Sequence, residues 1–170
     1  RGLRFLLEQW PRVRDALPEA ELRVTYGWDF WKRSEAVVQE QIAVSMRQER
    51  GQIEKLLIQP GVTHLGRLPR QDFLKEMNEA SVWAYPCTGG ELCCKTALEA
   101  QFLGLQPVVV PTMALAETVQ SGAKVSHEQF TDALINALKG ERETLPPDYR
   151  RRTPSWSDLA DWVWMQAAGK

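Results

Sequence analysis

Two short runs, SVWAYPC (81–87) and QPVVVPT (106–112), are apolar without a clean polar alternation, and a helical stretch separates them. A strand wetted on one face alternates polar with apolar, whereas a strand covered on both faces reads as a nearly unbroken apolar run. Two such runs joined by a helix predict a parallel sheet with helices on both faces, an α/β fold. The rest of the chain keeps that rhythm. Helical spacing runs over 3–17, through Leu3, Leu6, Leu7, Trp10, Val13 and Leu17, and Pro11 is expected to kink it or open a new turn. ELRVTYG (21–27) reads as a strand stopped by Gly27. Residues 34–57 read as one helix with Ser34 as cap and Gly51 as a possible break. VTHLGRL (62–68) reads as a strand, 70–80 as a short helix, and 92–103 as a helix ended by Gly104. Residues 127–139 read as a helix capped by Ser126 and ended by Gly140. An irregular linker over 142–154 and a terminal helix marked by Trp156, Leu159, Trp162 and Val163 complete the reading.

At 170 residues the chain has the length of one domain with a sizeable core. The formal net charge is −1, which gives no bulk attraction for nucleic acid, and the Arg150–Arg152 run reads as part of a solvated linker. Cys87, Cys93 and Cys94 are odd in number and two are adjacent, so reduced thiols in a cytoplasmic protein are the expectation. They lack a CxxC pair, and His64 and His127 show no ligand pattern, so no metal site is expected. No apolar run is long enough to span a bilayer. The chain opens on Arg-Gly and enters a helical pattern at once, which reads as a piece of a longer protein.

In open parallel sheets, ligands bind beyond the carboxyl ends of the strands. The loop after strand 81–87 is Thr88-Gly89-Gly90, leading into the predicted helix. Glycines let a ligand approach the main chain, and a helix mouth offers unpaired N–H groups to an anion. The amides from Leu92 through Cys93 and Cys94 to Lys95 are thus a candidate phosphate cradle, with Lys95 adding charge. Glu91 and Glu99 lie eight residues apart. On one helix that separation is roughly 12 Å and within about 80° of the same direction. Two carboxylates facing one cleft would accept from hydroxyls at both ends of a ligand with phosphates in the middle, the form of a nucleotide sugar. The bland alternative is that the helix dipole alone favours a glutamate in the first turn.

ELCCKTALEAQFLG (91–104) resembles the Glu-x7-Glu signature of retaining glycosyltransferases of family 4, which have the GT-B fold. RGLRFLLEQWP, PEAELRVTYG, GVTHLGRLPRQDF, ASVWAYPCTGGE, EAQFLGLQPVV and ALAETVQSG resemble, in order, the successive landmarks of that family's second domain, across nearly the whole chain. The resemblance implies a Rossmann-like, donor-binding C-terminal half that lacks its first strand and its acceptor-binding N-terminal partner domain. It implies that Glu99 bonds the ribose hydroxyls. Glu91, the candidate catalytic residue, would hold a hydroxyl of the donor sugar and not act as a covalent nucleophile. Arg1 and Gly2 would meet the diphosphate, and Arg67 and Leu68 would contact the base. The substrate would be a nucleoside-diphosphate sugar, UDP- or GDP-linked, with no cofactor; no Asp-x-Asp sequence suggests a catalytic metal. Cys94 and Lys95 depart from the small or apolar residues usual there. The isolated chain is expected to be inactive in transfer. The rival expectation is a non-catalytic nucleotide-binding or interaction domain of the same architecture; a flavodoxin-like domain would want an acidic pocket or flavin-stacking loop that the sequence lacks.

Overall fold

The computed structural model describes residues 2–140. Arg1, the 142–154 linker with its arginine run, and the expected terminal helix with its tryptophans lie outside the described residues. Elements follow in the order α1 (Leu3–Ala16), β1 (Leu22–Val24), α2 (Asp29–Glu35), α3 (Glu40–Leu56), β2 (Val62–His64), α4 (Arg70–Glu79), β3 (Val82–Tyr85), α5 (Lys95–Phe102), β4 (Gln106–Val109), α6 (Leu115–Thr118), β5 (Ala123–Lys124) and α7 (His127–Leu138).

All strand pairings are parallel: β1 with β2, and β3 with β4 with β5. Every residue of β4 is buried, as its unbroken apolar run requires. Its side chains alternate between two layers. Val108 and Val110 pack with Leu6, Trp10 and Val13 of α1 and Phe130, Leu134 and Ile135 of α7. Val109 points the other way, to Cys87, Cys94, Ala97 and Leu115. Helices therefore cover both faces, and the architecture is α/β and Rossmann-like. Each large apolar side chain taken fully into these layers contributes about 1.5–3 kcal/mol.

The strands form two sheets, not the single one expected, because β1 and β3 are not bonded to each other. A cleft of about 670 Å³ lies between them, lined by Leu22, Val24, Val82 and Ala84 among others. The Leu22 N–H donates to Gly61 O, and Val24 O accepts from the Leu65 N–H. Parallel pairing uses alternate residues, so the Arg23 peptide groups face away from β2. The Arg23 side chain reaches α4 at the cleft, where it donates to Glu76 (2.8 Å) and Glu79 (3.0 Å).

Three expectations need correction. Pro11 lies within α1, which runs on as one helix. A proline has no N–H for the carbonyl four residues back, and the Gln59 side-chain amide fills that gap by donating to Leu7 O at 3.0 Å. The predicted helix 34–57 is two helices, α2 and α3, and Gly51 lies inside α3 without breaking it. Ser34 is no cap; its hydroxyl donates to Phe30 O within α2 (2.9 Å). The fold-back lets Trp31 Nε1 donate to Met46 O (3.2 Å) and sets Arg50 against Glu35 at 2.6 Å with both largely covered. A straight helix would forgo both contacts. The third correction is that the helix expected over 92–103 begins at Lys95.

Candidate functional site

The segment 86–94 leaves the carboxyl end of β3 and reaches α5 as an irregular loop. Glu91 belongs to this loop and not to the helix, so the one-helix separation worked from the sequence does not describe the two glutamates. Local bonds explain the late start. The Lys95 N–H turns back to Cys93 O (3.0 Å), and the Cys94 thiol lies 3.3 Å from the Thr96 hydroxyl. The Lys95 amide is thereby used inside the loop, and the expected cradle of successive helix-mouth amides from Leu92 to Lys95 is not formed as a helix terminus. Leu92 and Cys93 are exposed, and Cys94 is buried against Ala97.

The loop is fastened from two sides. Cys87 donates its thiol to Gly89 O (3.0 Å), and the Thr112 hydroxyl donates to the same carbonyl (3.2 Å). The Ala114 N–H bonds Glu91 O at 3.0 Å. A side chain at Gly90 would lie 2.8 Å from Met113 Sδ, so that glycine is required by close approach; Gly89 faces open space. Met113 is the one non-glycine residue with positive φ among the described residues, at 48°. The chain after β4 is thus bent against the Gly-Gly turn.

The Tyr85 hydroxyl donates to Glu91 Oε2 (3.1 Å), which aims the carboxylate from the last residue of β3. Burial, with the neighbouring Glu91 carboxylate, pushes the Tyr85 phenol far above its ordinary value, so it stays a donor. Burial also raises the Cys94 thiol, which argues against a thiolate there.

Glu99 sits on α5 with only 13% of its side chain exposed. Arg70, the first residue of α4, forks onto it: Nη2 donates to Oε1 at 2.7 Å and Nη1 to Oε2 at 3.0 Å. Lys95, one turn before Glu99, lies 3.9 Å from Oε1. Arg67 and Leu68 precede α4 in the same segment. Arg67 is exposed, packs its Cβ over Gly27, and lies 3.9 Å from Asp29. A side chain on Gly2, at the left-handed start of α1, would collide with the Pro86 carbonyl oxygen. That close approach puts Gly2 beside Thr88 in a hollow of about 470 Å³, walled by Tyr26, Trp28 and Trp31.

The structure therefore groups the sequence-predicted residues in three places. Glu91 stands with Gly89 and Gly90, Glu99 with Lys95, and Gly2 with Thr88. Arg67 and Leu68 lie along the segment that ends at Arg70. The sequence reading missed Arg70, Tyr85, Met113 and the three aromatics of the hollow. Arg70 carried one signal: a cation in the first turn opposes the helix dipole and needs a local anion to explain it. Among the described residues no cluster of three or more metal-ligating side chains exists, and no helix is long and apolar enough to cross a membrane.

A family model described as glycosyl transferases group 1 matches residues 1–140. No curated protein and no solved structure matches the chain. The matched span holds the parallel strands, the helices on both faces, and the Gly89-Gly90 turn followed by the two separately anchored glutamates. The chain belongs to the glycosyl transferases group 1 family.

Proposed function

We propose that the chain is the donor-binding half of a retaining glycosyltransferase that moves a sugar from a UDP- or GDP-linked donor to an acceptor held by a separate domain. The observation that carries this reading is the paired anchoring of the two carboxylates, Glu91 by Tyr85 and Glu99 by Arg70. An anchored carboxylate presents fixed acceptors, which is what recognition of neutral hydroxyls needs. In this reading Glu99 takes the ribose and Glu91 a hydroxyl of the transferred sugar. The diphosphate lies toward the start of α1 near Gly2 and Thr88, where the dipole and unpaired N–H groups favour an anion, with Arg1 adding charge. Charge growing on the leaving diphosphate is stabilised there as the glycosidic bond breaks. Lys95 and the loop amides of Leu92, Cys93 and Cys94 face the distal phosphate and sugar, and Arg67 and Leu68 face the base.

The cleft between β1 and β3 supports the domain part of this reading. A strand running parallel to both would deliver its carboxyl end beside Pro86, where α1 begins at Gly2. That connection is the short strand-to-helix turn of a right-handed βαβ unit. It would join the two sheets into one, in the order β2, β1, added strand, β3, β4, β5.

The test is a thermal-shift series with UDP, GDP and ADP at millimolar concentration. Stabilisation by one diphosphate, abolished in Glu99→Ala, is the expected result. A chain that melts unchanged with all three is instead the non-catalytic interaction domain. Measurable sugar transfer by this chain alone would overturn the assignment of the acceptor site to another domain.

A further inference from the structure

Arg70 lies over the Phe73 ring, 5.9 Å from its centroid, but that contact does not account for its fork onto Glu99. Arg70 stands in the first turn of α4, where the helix dipole disfavours a cation. Its side chain is 52% exposed, and an exposed ion pair contributes about 0–1 kcal/mol. Lys95, on the same helix as Glu99, already supplies a nearby positive charge. A lysine is a point charge and fixes no plane, whereas a guanidinium fork bonded to both oxygens fixes the plane of the carboxylate. The Arg70 pair has that two-point form.

A carboxylate offers about four lone-pair positions. Arg70 occupies two, one on each oxygen. Two positions remain for donors, again one on each oxygen, which matches the number of hydroxyls on a ribose diol. We propose that Arg70 is a positioning residue that sets the Glu99 carboxylate plane so that one nucleotide's 2′- and 3′-hydroxyls are read together. This rests on the assignment of Glu99 to the ribose made above. It adds that hydroxyl discrimination belongs to the Arg70–Glu99 pair and not to Glu99 alone.

The experiment titrates wild type, Arg70→Lys, Arg70→Met and Glu99→Gln with UDP, GDP and ADP and with their 2′-deoxy counterparts. Melting curves of the variants without nucleotide confirm folding, which an exposed side chain should leave intact. The expected result is that wild type prefers the ribonucleotide by about tenfold or more, the scale of a charge-assisted hydrogen bond. Arg70→Met loses most of that preference while its affinity for the deoxy diphosphate changes by less than about twofold, and Arg70→Lys falls between. Full preference retained in Arg70→Met overturns the inference and leaves the donor-site reading standing. Tighter binding of both nucleotides by Arg70→Met also overturns it, because Arg70 would then compete for Glu99. A wild type that binds none of the three, or binds them without any preference that Glu99→Gln removes, overturns the donor-site reading itself.

Discussion

Replacing Gln101 with leucine tests whether the helix carrying Glu99 is locked to the α6 segment by a buried amide. Gln101 is fully buried in α5. Its Nε2 donates to Ala97 O (2.9 Å) and Thr118 O (3.0 Å), while Oε1 accepts from the Gln120 N–H (2.7 Å) and the Ser121 N–H (3.4 Å). Two of these, to Thr118 and Gln120, are well formed and join α5 to the end of α6 and the residues that follow it. Leucine is of similar size, so no large cavity forms, but it leaves a carbonyl and an N–H without partners. At about 1 kcal/mol net per bond, with a further penalty for the abandoned groups and about 1 kcal/mol returned by the apolar side chain, the loss is about 2–3 kcal/mol. For a chain of this length that lowers Tm by about 10 °C. Urea melts followed by circular dichroism should show an earlier midpoint at unchanged slope. Gln101→Glu adds a pH test. Its buried carboxylate loses both donors, and burial raises its pKa, so the variant should gain stability as pH falls and the acid regains a donor. A leucine variant melting within about 2 °C of wild type would refute the reasoning, since the amide would then be contributing nothing that a methyl group cannot replace.

The thiols give a second prediction: native chain should react quickly with a disulfide reagent at one site, Cys93, and at three after denaturation, and three fast thiols in the native chain would contradict the burial of Cys87 and Cys94. Burial raises the Cys94 pKa above its ordinary value, so its contribution to stability is full below about pH 8.5 and is lost as pH rises past that range, which alkaline melts will read. A third concerns Gly122, at φ 93°, where an added Cβ would lie 2.8 Å from the Pro107 Cδ and closer still to that residue's carbonyl. Gly122→Ala should cost clearly more than Gly104→Ala, which has the same sign of φ but open space and should lose only about 1–2 kcal/mol; equal losses would show that the close packing on β4 is not real.

The layered architecture was legible because β4 is buried on both faces and its composition has to say so. Helix ends at Gly104 and Gly140 were legible for a similar reason, since both adopt the left-handed backbone that glycine tolerates best. What escaped the sequence depended on contacts distant along the chain. Nothing local at 34–39 announces that Glu35 will meet Arg50, so one helix was expected where two form. Short elements such as α6 and β5 have too few residues to show a period. At the site, the glutamates were visible as residue types, but their orienting partners were not. Tyr85 looked like one more apolar strand residue, and Arg70 reaches Glu99 across 29 positions. The helix start at Lys95 was misplaced because the apolar run Leu92, Cys93 and Cys94 fits helical spacing until its own bonds are counted.

The open channel beside β1 and β3 carries a consequence for handling the molecule. Among the described residues no strand pairs with the facing borders of β1 and β3, and such a row of main-chain groups is a template that a passing extended segment can join, including one from another copy. Arg23, Glu76 and Glu79 put charge at the rim and oppose such docking, as charged residues do on natural sheet borders. An Arg23→Ala change weakens that guard. Clumping in concentrated samples should therefore begin at this seam, while the enclosed β4 layer stays intact.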